Sequence, residues 1–161
     1  MRRKVCVETT VPGFYAETRA DAAAVYRRET TRRWWAEEAP RYDLLVSPFV
    51  VEELAGGEYA GKDEALAPVA DLPVLEVVPE IEDIVAVYVA HRLMPQGERG
   101  DAAHLAVASF YSADFLLTWN RRHLASIRKA RHLAEINSRL GLFVPGVTTP
   151  AGLFSEEVDD G

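Results

Sequence analysis

The sequence predicts an α/β fold in which a parallel central sheet is flanked by helices. Three observations support this class. The chain has 161 residues, within the range of roughly 100–200 that one compact domain occupies. Helical and strand-like patterns alternate along it, which is typical of a parallel sheet with helical crossovers. The strand-like segments are short, continuous apolar runs, and such runs suit strands that are covered on both faces.

We predict five strands, each of them a short apolar run. The first contains Val5-Cys6-Val7, and the fourth contains Phe115-Leu116-Leu117. The predicted ranges are 4–8, 43–47, 73–78, 115–118 and a last strand within 142–147.

Helices are predicted between these strands. Asp21 is a typical N-cap residue, and Gly56-Gly57 ends a segment opened by Ser47-Pro48. From Pro79 onward the apolar residues recur at helical spacing. Asp101 follows Gly100 at the start of an alanine-rich helix. The predicted ranges are 21–38, 48–55, 62–69, a helix from 79 to about 92, 101–111 and a helix that ends near 139.

Charge and its distribution along the chain bear on nucleic-acid binding and on where the folded domain ends. A formal net charge of -7 argues against a protein that coats nucleic acid nonspecifically. Acidic residues crowd the tail at 155–161, which we expect to be disordered, so the domain is predicted to span 1–154.

Cys6 reads as a small buried hydrophobe. No apolar run reaches the ~18 residues needed to cross a bilayer. We therefore expect a cytoplasmic protein without a membrane partner.

Four polar residues lie where a predicted strand ends or a helix begins: Glu8, Glu53, Asp101 and Asn120. Open α/β sheets bind ligands at the carboxyl ends of their strands. Carboxylate and amide oxygens are the ligands that hard divalent cations prefer. The four residues together therefore predict a site for Mg²⁺ or Mn²⁺.

Each of these residues also has an ordinary structural interpretation. Taken alone, Asp101 is a helix N-cap, Asn120 is a turn residue, Glu53 is a solvated helix residue and Glu8 is a strand-end acid. Only their joint order favours a site. His104 shares a helix face with Asp101, but we interpret it as a hydrogen-bonded structural histidine rather than a ligand.

Four short segments carry a resemblance to a known family. They are Val-Glu-Thr-Thr at 7–10, Ser-Pro-Phe-Val-Val-Glu-Glu-Leu at 47–54, Gly-Asp-Ala-Ala-His-Leu-Ala-Val-Ala at 100–108 and Leu-Leu-Thr-Trp-Asn at 116–120. In this order they resemble the PIN-domain nucleases, and most closely the VapC-like toxins. The resemblance covers nearly the whole chain. It implies a PIN-like parallel-sheet domain and metal-dependent cleavage of RNA.

The resemblance also assigns roles to residues of this sequence. Glu8, Glu53, Asp101 and Asn120 occupy the four metal-binding and catalytic positions. Glu8 is a departure, because the family usually has Asp there, and the extra methylene either preserves metal binding or lowers activity. Glu52 is the alternative to Glu53. The hydroxyls of Thr9 and Thr118 are expected to support the ligands by hydrogen bonding.

A basic cluster follows Asn120 and is a candidate surface for RNA phosphates, although a solvated helix surface explains it equally well. The candidate RNA-binding residues are Arg121, Arg122, Arg128 and Lys129. A second group of basic residues, Arg27, Arg28, Arg32 and Arg33, adjoins Trp34 and Trp35. These two tryptophans either stack on unpaired bases or pack in the core or against a partner.

The leading hypothesis is therefore an Mg²⁺- or Mn²⁺-dependent endoribonuclease. The resemblance implies that it acts as the toxin of a toxin–antitoxin pair, with a small protein antitoxin and a homodimeric state. Two alternatives remain open. One is a PIN-like module that binds RNA or a partner with little cleavage. The other is an RNA-processing nuclease without an antitoxin.

Overall fold

A computed structural model describes residues 2–93, 99–120 and 127–154. It confirms the predicted α/β class. Within these ranges four parallel strands form one sheet in the order β2-β1-β3-β4, which is consistent with a PIN-like single-domain fold. The strands are β1 (Lys4–Val7), β2 (Asp43–Leu45), β3 (Phe115–Leu117) and β4 (Gly146–Thr148).

Seven α-helices flank the sheet in the described ranges. The helices that begin at Ala22 and Pro48 start where the sequence indicates. Their N-cap residues accept hydrogen bonds from backbone N–H groups, Asp21 from Ala24 at 3.2 Å and Ser47 from Val50 at 3.4 Å. The helices are α1 (Thr10–Tyr15), α2 (Ala22–Glu37), α3 (Pro48–Ala55), α4 (Lys62–Leu66), α5 (Pro79–Ala90), α6 (Arg99–Phe110) and α7 (Ile127–Leu140). Short 3₁₀ turns occupy Ala39–Arg41, Ala67–Val69 and Pro150–Gly152.

Both faces of the sheet are covered by helices. Cys6 and Leu116 point to one face, where they pack in a core with α5, α6 and α7. Val5, Val7 and Leu117 point to the other face and pack in a second core that includes residues of α1 and α2. This alternation follows from the two-residue period of a strand, and it explains why the strands read as continuous apolar runs.

The predicted strand at 73–78 is wrong. Only Val74 pairs there, through an isolated parallel bridge to Val46. Pro73 has no backbone N–H to donate, and Val78 already serves as the N-cap residue of α5. These two residues limit the segment available for pairing to 74–77, of which only Val74 forms a bridge, while Leu75, Val77 and Val78 pack against the core.

Smaller differences concern element boundaries. The described α6 starts at Arg99, so Asp101 lies in its first turn instead of opening it. The last strand lies at the far end of its predicted range and extends to Thr148. Helix α1 was not predicted; its Pro12 lies in the first turn, where proline is tolerated.

Two buried side chains bear on interpretations made from the sequence. Trp34 is fully buried and donates from Nε1 to the Leu153 carbonyl at 2.8 Å, so it belongs to the core and cannot stack on a base. Cys6 is buried as expected. Burial, aided by the charge of Glu8, raises the pKa of Cys6 to about 12, so its thiol stays protonated and unreactive.

Some sequence-based expectations fall outside the described residues. These are the disordered tail at 155–161 and the RNA-binding roles of Arg121 and Arg122. Across the described ranges, the helices are too short or too polar for any of them to cross a bilayer.

A buried polar cluster joins the three helices on one face of the sheet. The Tyr88 hydroxyl donates to Asn137 Oδ1 at 2.6 Å, and Asn137 Nδ2 donates to Ser109 Oγ at 3.0 Å and to the Phe143 carbonyl at 2.9 Å. Burial raises the pKa of Tyr88, which keeps its hydroxyl protonated as a donor. The cluster thus fixes α5, α6 and the end of α7 relative to one another.

We expect Asn137→Ala to lower the free energy of unfolding by about 2–4 kcal/mol, because it leaves buried polar groups without partners. Urea denaturation measures this change. Ser138→Ala, at an exposed neighbouring position of α7, is the matched control and is expected to have little effect. Equal stability of the two variants would show that the cluster is not a structural joint.

Candidate functional site

The sheet order places a crevice between β1 and β3. The chain passes from β1 outward to β2 on one side, and from β3 outward to β4 on the other. The strand order therefore reverses between β1 and β3, and ligands bind open α/β sheets at the carboxyl ends of such a pair. Glu8 directly follows β1, and Thr118 directly follows β3. The candidate residues from these two strands thus meet at the expected position.

Glu8 is held by a set of donors beneath the crevice. Its Oε2 accepts hydrogen bonds from the Thr10 backbone N–H at 3.0 Å, from the Thr118 hydroxyl at 2.7 Å and from the Thr10 hydroxyl. The residue is only 4 % exposed. Within the described part of the chain, no hydrogen bond reaches its other oxygen, Oε1. A buried carboxylate oxygen without a donor is costly unless a cation approaches it.

Glu53 reaches the same region from α3. Its Oε2 accepts a hydrogen bond from the Thr9 hydroxyl at 2.5 Å, and its Oε1 lies 3.2 Å from His104 Nε2. The hydrogen bond to His104, opposed by partial burial and helped by Thr9, lowers the pKa of Glu53 and keeps it ionised. Glu52 and Glu53 are both exposed, but Glu52 makes no side-chain hydrogen bond to the described residues. The geometry therefore favours Glu53 over its neighbour as a member of the site.

Asp101 and Asn120 form a third part of the site. The Asn120 amide lies 3.3 Å from both carboxylate oxygens of Asp101, and both residues are partly buried. The Asn120 backbone N–H donates to the Thr118 hydroxyl at 3.0 Å, which connects this pair to Glu8. Asp101 also lies in the first turn of α6, where the helix dipole favours a negative charge.

His104 contacts Glu53 and is within electrostatic range of Glu8 and Asp101. Burial lowers the pKa of His104, but the hydrogen bond to Glu53 and the charges of Glu8, Glu53 and Asp101 outweigh burial and raise that pKa above its ordinary value. The residue is 4 % exposed. The three acids therefore favour the protonated form of His104, whose charge would partly balance theirs. As interpreted from the sequence, it is hydrogen-bonded.

The four predicted ligands are brought to one crevice, but they are not clustered around one point. Among the side chains that the structure describes, no three His, Cys, Asp or Glu residues are grouped closely enough to hold a metal ion. Instead the acids are divided among three sets of partners: Thr10 and Thr118, Thr9 and His104, and Asn120. The predicted supporting hydroxyls, Thr9 and Thr118, each donate to one acid.

Sequence reasoning missed Thr10. Its hydroxyl donates to Glu8 and accepts the Trp119 backbone N–H at 2.9 Å, so it joins the ends of β1 and β3. The signal was present, because Thr10 lies two residues after Glu8 and short hydroxyl side chains commonly bond to nearby groups. Of the candidate RNA-binding residues, Arg128 is exposed on α7 and Lys129 is partly buried there.

No protein-family model matches this chain, and no curated protein matches it.

Proposed function

We propose that the protein is an endoribonuclease that depends on Mg²⁺ or Mn²⁺ and hydrolyses RNA phosphodiester bonds, as a PIN-domain, VapC-like toxin. The observation that carries this proposal is the approach of the acids at the crevice between β1 and β3. Hydrogen bonds through Thr118 and Asn120 join Glu8 to Asp101, and Glu53 accepts a hydrogen bond from Thr9, the residue after Glu8. Three acids at one sheet edge are expensive for stability and are typical of a functional site.

The donor set fits a hard divalent cation. Glu8, Glu53, Asp101 and the Asn120 amide offer oxygen ligands, and Glu8 Oε1 is a buried oxygen that no described group satisfies. These four residues would hold the ion. When bound, such an ion lowers the pKa of a water molecule and stabilises negative charge on a phosphoryl group.

The chain's own residues would position that chemistry. Thr10 and Thr118 orient Glu8 by binding its Oε2, which leaves Oε1 available. Thr9 and His104 orient Glu53 by engaging its Oε2 and its Oε1, so both oxygens of this acid already have partners. The low pKa of Glu53 keeps this carboxylate ionised at neutral pH. Hydrogen bonds thus orient Glu8 and Glu53 before any ligand arrives.

Cleavage of a mixed set of labelled single-stranded and structured RNAs tests the proposal. We expect purified protein to cut with Mg²⁺ or Mn²⁺ and to be inactive in EDTA. Folded protein that cuts none of these RNAs with either metal would contradict the proposal for this set of substrates.

A second candidate is a PIN-like module that binds RNA or a partner without useful cleavage. It is supported by the hydrogen bonds that the acids already make within the protein, because a metal ion would compete with these partners. Glu53 is bonded to His104, and Asp101 is bonded to Asn120. Glu8 in place of the family's usual Asp supports it as well. Weak metal affinity together with tight RNA binding would favour this candidate over the nuclease.

The proposed partners follow from the VapC-like resemblance. We propose a small protein antitoxin encoded beside this gene and a homodimeric state. Co-expression with a small neighbouring reading frame tests the first, by whether the complex loses ribonuclease activity. Light scattering of the purified protein tests the second. A neighbourhood without such a reading frame would favour an RNA-processing nuclease that acts without an antitoxin.

A further inference from the structure

A patch of aromatic rings and one arginine borders the candidate site. The Trp119 ring lies 6.2 Å from Phe14 and 6.3 Å from Tyr26, both edge to face. The Arg27 guanidinium lies 5.2 Å from the centre of the Phe14 ring and 5.9 Å from that of Trp119. We refer to Phe14, Tyr26, Arg27 and Trp119 as the aromatic patch.

The aromatic patch is linked to the site through the backbone. Trp119 directly precedes Asn120, and its N–H donates to the Thr10 hydroxyl at 2.9 Å. That hydroxyl in turn donates to Glu8. Phe14 belongs to α1, the helix that Thr10 begins. The patch is therefore connected to two of the four candidate ligands, to Asn120 through Trp119 and to Glu8 through Thr10.

Tyr26 and Arg27 are the accessible members of the patch. Trp119 is 6 % exposed, whereas Tyr26 is 58 % exposed, which is unusual for a large aromatic side chain in contact with a core tryptophan. The Trp119 indole donates to the Thr31 hydroxyl at 2.8 Å and is thereby fixed. Tyr26 thus presents a ring to solvent beside a rigid support.

Arg27 differs from the other arginines of α2. Arg28 pairs with Glu29 at 3.2 Å, and Arg33 pairs with Glu37 at 3.0 Å. Arg32 donates to the Tyr15 carbonyl at 2.9 Å. The Arg27 guanidinium makes no ion pair or hydrogen bond with the described residues and lies only on aromatic rings. It is a cation whose hydrogen-bond donors are available to an anion.

We propose that the aromatic patch binds one unpaired nucleotide of a single-stranded RNA next to the site. Tyr26 stacks on the base, and Arg27 binds the adjoining phosphate, as aromatic rings and cations do in single-strand recognition. Glu8, Glu53 and Asp101 repel a phosphate, so a cation beside them is needed to bring the chain in. The inference rests on the proposed function and adds to it a base-stacking residue, Tyr26, and a phosphate-binding residue, Arg27.

RNA binding measured without metal tests this inference independently of cleavage. Fluorescence anisotropy in EDTA would measure the affinity of the full chain for a short labelled single-stranded RNA and for the same RNA in a duplex. We expect the single strand to bind more tightly. Tyr26→Ala should weaken binding on the order of tenfold, and Tyr26→Phe, which keeps the ring, should retain it.

Arg27→Gln should weaken binding and should also reduce the slope of log affinity against log salt by about 0.7, the value for one phosphate contact on a single strand. Arg33→Gln, at an exposed ion-paired position of the same helix, is the matched control. Thermal unfolding would show that all variants are folded. A purely structural role of Arg27 would not change the salt slope.

The inference is overturned if Tyr26→Ala and Arg27→Gln bind like Arg33→Gln, or if the duplex binds as tightly as the single strand. Failure of the proposed function has a different signature. In that case the wild-type protein would not cut RNA with either metal, whatever these affinities are.

Discussion

Asp101→Asn is expected to abolish metal-dependent RNA cleavage while the chain remains folded. The substitution removes a ligand charge and keeps the size of the side chain. We expect turnover to fall by more than about a hundredfold, since loss of even an outer partner of a metal ligand commonly costs 10–100-fold. Initial rates with Mn²⁺ and Mg²⁺ at saturating concentrations would measure the change.

Stability should change little in this variant. Asn at position 101 still offers an oxygen to the Asn120 amide, which lies 3.3 Å from the carboxylate. The loss of a charge in the first turn of α6 costs about 0.3–1 kcal/mol. Asp83→Asn, an exposed acid on α5, gives the same change in net charge and is the matched control. Turnover of Asp101→Asn equal to that of the control would remove Asp101 from the mechanism.

The fold was predictable mainly where local sequence and burial agree. β1 and β3 are central strands, and their apolar runs are continuous because residues such as Cys6 and Val7 face different cores. The segment at 73–78 has the same apolar character. Its Leu75 and Val77 side chains pack against the core, but their backbone does not form a strand of the sheet. Hydrophobicity alone does not distinguish these two uses.

The site was predictable in its position and less so in its contacts. The sequence indicates this position because Glu8 and Asn120 each follow a strand of a parallel sheet, and the structure adds that these two strands are neighbours. The bond between His104 and Glu53 joins α6 to α3, residues that lie far apart in the chain. No local pattern encodes such a contact, because it depends on how helices pack. Whether the four residues bind a metal stays a prediction.

Glu8 provides the second large expected effect, since it is a buried acid whose Oε2 is satisfied and whose Oε1 is not. Excess metal should stabilise the wild-type protein by about 2.7 kcal/mol when its concentration exceeds Kd about a hundredfold. For a chain of this size that corresponds to a rise in Tm of roughly 5–10 °C. In Glu8→Gln, which removes the charge beside the metal, we expect this rise to disappear.

The same position separates metal binding from structure in the metal-free protein. Gln at position 8 can keep its carbonyl oxygen where Oε2 accepts from Thr10 and Thr118, so its stability in EDTA should stay within about 1 kcal/mol of wild type. Glu8→Ala instead leaves these donors unpaired beneath the sheet edge and should cost about 3 kcal/mol.

Differential scanning calorimetry of both Glu8 variants, with and without Mn²⁺, would measure these effects, and exposed Glu52→Gln is the control that should keep the metal response. If Glu8→Gln kept the full metal-induced rise in Tm, Glu8 would be a structural acid and the metal would bind elsewhere. If Glu8→Ala were as stable as Glu8→Gln in EDTA, the three hydrogen bonds to Oε2 would not be holding the ends of β1 and β3 together. Loss of the metal response in Glu8→Gln with an intact fold is the one combination that assigns Glu8 to the ion, because a structural acid would alter both measurements or neither.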